Sequence, residues 1–195
     1  AHEKEIIHGA LHPSSIVLDE RRNPILFDFG FEQIISDHLL AHTPGAWINR
    51  WGFEYRAPEQ LNGAPPDWRS DIYALGMMLH EWLIGKIPLL DATILGTLQM
   101  RTATPNIKAT KETTLIPATV QDLIQKCVAL NPDDRYQSMQ EVYIILARGA
   151  LDMSITKKMV RKPLDIPMQR RFTLKRLSVR RVMGIVATLA ALSAF

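Results

Sequence analysis

A single cysteine, Cys127, stands among the 195 residues. It excludes an internal disulfide and a thiolate metal cage, since both need more than one sulfur. Acidic residues nearly vanish toward the C-terminus: residues 157–195 carry ten Lys and Arg and one acid, Asp165, whereas residues 1–156 carry 13 Lys and Arg against 19 Asp and Glu. The net charge of +3 and the isoelectric point near 9.1 therefore belong to the tail. The acidic body is a poor surface for nucleic acid. Residues 1–10 lack the basic segment followed by an apolar run that opens a secretory signal peptide. A full-length hydrophobic span is also missing. Val182–Phe195 (VMGIVATLAALSAF) is uncharged over 14 residues; as a helix it reaches about 21 Å, while the hydrocarbon core of a bilayer is about 30 Å thick, so the run reads either as a buried or interfacial helix or as the start of a transmembrane one.

What is present describes a chain that folds. Hydrophobic residues at 47% and charged residues at 22% match a soluble globular domain, not a disordered or collagen-like one. The length leaves room for one unit of about 150 residues plus an extra segment. No internal repeat is visible.

Short apolar runs alternate with turn residues between Ile6 and Ile34, and Asn23-Pro24 predicts a turn joining two short strands, Ser15–Leu18 and Ile25–Phe27. Residues 31–66, with prolines at 44, 58, 65 and 66, show little periodicity and predict a long functional loop. From Asp71 the pattern turns helical: Ile72, Leu75, Gly76, Leu79, Trp82 and Leu83 recur at spacings of three and four, with apolar residues on other faces too. This predicts a helix deep in the core, stopped by Gly85 and Pro88. Further helices are expected around Asp91–Met100, Pro117–Leu130 and Ser138–Arg148, and Cys127 falls on the apolar side of the second of these. The fold class is α+β, predominantly α, with a short β-hairpin and several helices.

The runs IIHGALHPSSIVLD (6–19), LFDFG (26–30), YRAPE (55–59), SDIYALG (70–76) and NPDDRY (131–136) stand in one order over about 140 residues. Together they resemble the C-terminal lobe of eukaryotic-like Ser/Thr protein kinases, including the bacterial membrane-anchored type. The resemblance covers residues 1–149. The Gly-rich phosphate loop, the strand lysine and the helix glutamate of the N-terminal lobe are not among the residues given.

The resemblance assigns the catalytic loop to His8-Gly9-Ala10-Leu11-His12-Pro13-Ser14-Ser15. Ala10 takes the place of the aspartate that accepts the proton of the substrate hydroxyl. His12 takes the place of the lysine that neutralises the transferred phosphoryl group, and an imidazole is mostly uncharged near neutral pH. Ser15 replaces the asparagine that holds a second Mg²⁺, and Gly9 replaces the arginine that would pair with a phosphate on the activation segment. These departures strike nucleophile positioning, charge stabilisation and metal binding at once. Other positions match. Asp28 of Asp28-Phe29-Gly30 corresponds to the carboxylate that holds Mg²⁺ against the nucleotide, with Phe29 as the packing residue and Gly30 as the hinge. Glu59 and Arg135 correspond to a buried ion pair, and Asp71 to the residue that hydrogen-bonds the loop backbone around His8. His8 itself is expected to pack inward. His12 is expected as a solvated loop histidine, and Ser36 and Thr43 as plain loop residues. Trp47 and Trp51 could pack across the region where substrate would lie.

The resemblance thus implies ATP and Mg²⁺ as cofactors and protein Ser/Thr as substrates, while Ala10, His12 and Ser15 imply a pseudokinase that binds a protein partner, such as an active kinase. The rival readings are an active Ser/Thr kinase with an unusual catalytic loop and a nucleic-acid-tethered regulator. Domain boundaries are expected at 1–149 for the lobe, 150–181 for a basic juxtamembrane linker and 182–195 for the start of a transmembrane helix. Basic pairs from Lys157-Lys158 to Arg180-Arg181 precede that helix; they predict a single-pass protein of the cell membrane with its lobe in the cytoplasm and no nucleic-acid partner. Both ends of the sequence read as cuts through a longer protein.

Overall fold

In the computed structural model, which describes residues 6–21, 23–30, 52–104, 107, 108, 110 and 113–155, the first regular elements are the antiparallel strands β1 (Ile16–Leu18) and β2 (Pro24–Leu26). Ile16 pairs with Leu26, Val17 with Ile25 and Leu18 with Pro24. Side chains alternate along a strand, so Ile16 and Leu26 pack on the core while Val17 and Ile25 lie exposed. The turn is built by Asp19, whose carboxylate accepts the Asn23 amide at 2.6 Å and its side-chain NH₂ at 3.0 Å. Ser15 does not join β1, as its alternating pattern had suggested. The preceding Pro13 sets a tight 3-10 turn, Pro13–Ser15, and the Ser15 carbonyl accepts the amide of Phe27, just past β2, at 3.0 Å.

Five helices follow among the described residues: α1 (Pro58–Leu61), α2 (Trp68–Ile84), α3 (Ile94–Ala103), α4 (Ala118–Cys127) and α5 (Met139–Ile155). Helix α2 begins three residues before Asp71, because Asp67 caps it. The Asp67 carboxylate accepts the amides of Arg69 and Ser70, and the Ser70 hydroxyl accepts the Asp67 amide. Every residue from Ser70 to His80 is buried, which is why α2 shows apolar residues on all its faces. Helix α4 brings Val120, Leu123, Ile124 and Cys127 against it, and α5 adds Met139, Val142 and Leu146. Each such side chain contributes about 1.5–3 kcal/mol when fully buried. The α2–α4 crossing is closest at Gly76, where a Cβ would lie 2.6 Å from the Cys127 Cβ and 2.8 Å from the Val128 Cγ1.

Helix α5 runs on to Ile155, so the first residues of the expected linker 150–181 are helical. The rest of that linker, the expected apolar helix 182–195, and the residues Ser36, Thr43, Trp47 and Trp51 lie outside the described residues. Among the described residues no helix is long and apolar enough to cross a membrane.

Candidate active site

Asp71, buried in the first turn of α2, aims its carboxylate at the loop that begins with His8. One oxygen accepts the His8 amide and the other the Gly9 amide, each at 2.9 Å. Charge-assisted bonds of this kind are shorter and about twice as strong as neutral ones. They fix the loop through its backbone.

The His8 ring is buried and spoken for at both nitrogens. Nε2 donates to the Phe27 carbonyl at 2.9 Å, and Nδ1 faces the Ala10 amide, from which it accepts at 3.4 Å. One neutral tautomer satisfies both contacts. The ring also packs on Phe29, 5.0 Å between centroids at 45°, and the His8 carbonyl accepts the Gly30 amide at 3.3 Å. His8 thereby ties the loop to the Asp28-Phe29-Gly30 turn. Asp28 sits in the left-handed region at φ 66°, a conformation that aspartate tolerates better than most residues, and its side chain is exposed.

The three substituted positions have separate surroundings. Ala10 presents only a methyl group. The Ser15 hydroxyl is fully buried and has no hydrogen-bond partner among the described residues. His12 is half-buried rather than solvated: its Nδ1 accepts the Ser14 amide at 3.2 Å, and its ring lies against Gly52, where a Cβ would come within 2.8 Å of the imidazole Cδ2. Gly52 is left-handed at φ 77°, so glycine meets both the backbone and the space requirement there. Burial pushes the His12 pKa below its ordinary value, and nearby His8 adds to the effect, while Asp28 and Glu54 oppose it.

Glu59, in α1, meets Arg135 through two bonds of 2.7 Å, one to each carboxylate oxygen. Arg135 is buried; it also donates to the carbonyls of Ala129, Arg69 and Leu130 and lies over the Tyr73 ring. The Ser70 hydroxyl donates to the same carboxylate at 3.1 Å. This is bidentate geometry of the kind that suits arginine and not lysine.

Two residues escaped the sequence reading. Gln60 bridges α1 to the loop, donating to the Gly9 carbonyl at 2.6 Å while its oxygen accepts the Ala57 amide at 3.0 Å; its place three residues after a helix-start position is a capping signal that could have flagged it. Arg101, buried on α3, donates to the backbone carbonyls of Leu89, Arg56 and Glu54, and nothing in its sequence surroundings marks it.

As a magnesium site the donors are uneven. Among the described residues no group of three His, Cys, Asp or Glu side chains could hold a metal ion. Magnesium needs only one or two carboxylates when phosphate oxygens complete its shell. The exposed Asp28 fits that role. Ser15 does not fit as a second ligand, because its hydroxyl has no open surface.

The protein kinase domain family matches residues 1–144. The chain is 31% identical over 144 residues to the serine/threonine-protein kinase PrkC of Bacillus subtilis, covering 73% of this chain and 22% of that protein. It is 29% identical over 161 residues to the serine/threonine-protein kinase Pkn1 of Myxococcus xanthus, covering 80% of this chain and 22% of that protein. With the serine/threonine-protein kinase PknB of Mycobacterium leprae the identity is 28% over 148 residues, covering 76% of this chain and 24% of that protein. The chain therefore spans less than a quarter of the length of these relatives.

Proposed function

The chain belongs to the protein kinase family, and from that premise we propose that it is the C-terminal lobe of a pseudokinase which signals by docking a protein partner, an active kinase foremost, instead of transferring phosphate. The observation that carries this reading is Ala10. A methyl group neither accepts a proton nor orients an incoming hydroxyl, and the neighbouring His8 offers no substitute because both its nitrogens are engaged. General-base assistance is worth about 10²–10⁴-fold in rate.

Two further features support it. A half-buried imidazole whose pKa is held down by its surroundings supplies little positive charge at neutral pH where the family places a lysine. The buried Ser15 hydroxyl offers no ligand to a second ion. Asp28 keeps its carboxylate, so a nucleotide with one Mg²⁺ remains chemically admissible; that group would supply the phosphoryl donor and Asp28 would orient it. In this reading residues 182–195 begin a membrane anchor, the basic pairs before it face an anionic cytoplasmic leaflet, and the lobe lies in the cytoplasm.

The test is a phosphotransfer assay of the full-length protein with Mg²⁺ and ATP on protein Ser/Thr substrates. No turnover above background is expected. Turnover in the natural protein that disappears in Asp28→Ala would overturn the reading in favour of an active kinase with an unusual loop.

A further inference from the structure

Arg101 is 2% exposed, and a buried guanidinium has to find acceptors for its N–H groups. It finds them on two separate segments. Nε donates to the Leu89 carbonyl at 3.3 Å, and the two terminal nitrogens donate to the carbonyls of Arg56 and Glu54. Its guanidinium carbon lies 5.5 Å from the centre of the Tyr73 ring, which faces Arg135 as well. Leu89 is one of two non-glycine residues with positive φ among the described residues, at 49°, so the chain bends at the point where its carbonyl meets this side chain.

The carbonyls of Glu54 and Arg56 flank Tyr55, whose hydroxyl donates to Glu81 on α2 at 2.6 Å. The turn Phe53–Tyr55 is thus held by its backbone from α3 and by a side chain from α2. Its first hydrogen bond, Tyr55 amide to Gly52 carbonyl at 3.0 Å, places Gly52, and Gly52 in turn lies against the His12 ring. We propose that Arg101 is a positioning residue: from α3 it latches residues 53–57 and, through Gly52, sets where His12 lies in the catalytic loop. In the resemblance to kinases, ordering of this region falls to an arginine beside the catalytic aspartate that pairs with a phosphate. Here that position is Gly9, and the latch comes from α3 and needs no phosphate. The inference concerns position and not turnover, so it stands or falls apart from the proposed function.

The experiment compares the full chain with Arg101→Lys and Arg101→Met by hydrogen–deuterium exchange, and follows the His12 imidazole by NMR titration. A lysine keeps the charge and the stem but lacks the planar fork that spans two segments. In both variants the amides of Tyr55 and Arg56 are expected to exchange about tenfold faster while α2 and α4 keep their rates. The His12 titration is expected to move up toward the ordinary histidine value as Gly52 withdraws; the groups facing it, His8, Asp28, Glu54 and Arg56, are unchanged in identity. Should Arg101→Met not fold, Arg101→Lys decides alone, with Tyr55→Phe as the control that removes only the hydroxyl tie. Unchanged exchange at 53–57 in folded Arg101→Lys overturns the latch, as does acceleration spread evenly over α2 and α4. A freed segment with an unmoved His12 titration overturns the link to His12.

Discussion

Asp71 grips His8 by its backbone amide and not by its ring. Because the same carboxylate also takes the Gly9 amide, the start of the loop is shaped by a residue outside it, and of the side chains at 10, 12 and 15 only that of His12 bonds the loop backbone, at Ser14. A loop fixed in this way can lose its chemical groups and keep its form.

Asp71→Asn is expected to cost more than its size suggests. The amide keeps one acceptor oxygen and turns an NH₂ group toward a backbone N–H, so at least one buried donor loses its partner at about 1–3 kcal/mol. Chemical denaturation of the full chain measures this. A midpoint shift of less than a few tenths of a kcal/mol would show that water replaces the carboxylate and that the loop is not held from α2.

Glu59 and Arg135 should behave as a coupled unit. Removing Glu59 alone strands a buried guanidinium, a change that costs about 3–5 kcal/mol in buried pairs. Replacing both, as Glu59→Gln with Arg135→Met, should cost clearly less than the two single changes together. A double-mutant cycle reads the difference, and strict additivity would mean that the carbonyls of Ala129, Arg69 and Leu130 alone secure Arg135.

The motif positions were legible in the sequence because each pairs an unusual residue type with fixed neighbours: Asp28 before Phe-Gly, Glu59 after Ala-Pro, Asp71 opening a periodic apolar run. The burial of α2 was legible from apolar residues on every face. What stayed hidden depends on the third dimension. His12 looks like a loop histidine in one dimension, and the approach of Gly52, 40 residues on, helps remove it from water. Ser15 sits on a strand-like alternation that Pro13 overrides by forcing a tight turn first. Arg101 draws no reading at all, because its acceptors are backbone carbonyls on two segments, and carbonyls leave no trace in residue identity.

Gly76→Ala should destabilise despite the gain in helix propensity. That gain is about 1 kcal/mol at most, whereas the added methyl meets the Cys127 Cβ at 2.6 Å and Val128 Cγ1 at 2.8 Å, atoms close to the backbone that cannot swing aside. Overpacking of this kind costs about 1–3 kcal/mol. A lower thermal midpoint is expected. Cys127, whose thiol burial raises well above its ordinary pKa, should label faster with a thiol reagent in the same variant, since only opening of the α2–α4 contact exposes it.

Acid should weaken the fold through two histidines. His80 is buried in α2 and donates from Nδ1 to the Lys86 carbonyl at 2.8 Å; burial lowers its pKa from the ordinary 6.5, partly offset by that hydrogen bond. His12 is lowered too, first by burial. Between the folded value and 6.5 the unfolded chain binds more protons than the folded one, so stability rises with pH in that window and falls as pH drops through it. Urea midpoints between about pH 8 and about pH 5 should decline on the acid side. His80→Asn, which keeps a donor for the Lys86 carbonyl, should flatten the slope, and an unchanged slope would assign the effect elsewhere.

Restoring the catalytic groups discriminates a loop that lacks one part from a loop that lacks three. If only the base were missing, Ala10→Asp in the full-length protein would recover the about 10²–10⁴-fold that a general base contributes. The geometry argues for much less. With Asp at position 10 alone, the phosphoryl charge would still face an imidazole kept neutral by burial, and the second metal position would still hold a hydroxyl with no open surface. His12→Lys must also displace a side chain that fits closely against Gly52, so its ammonium needs that contact to open before it can reach a phosphate. Groups that act as a unit are strongly non-additive. The expected outcome is therefore no measurable phosphotransfer for Ala10→Asp, and turnover first detectable when His12→Lys and Ser15→Asn are added to it. A large rate from the single change would mean that positioning and one Mg²⁺ at Asp28 suffice, and that the natural chain is one substitution away from an enzyme.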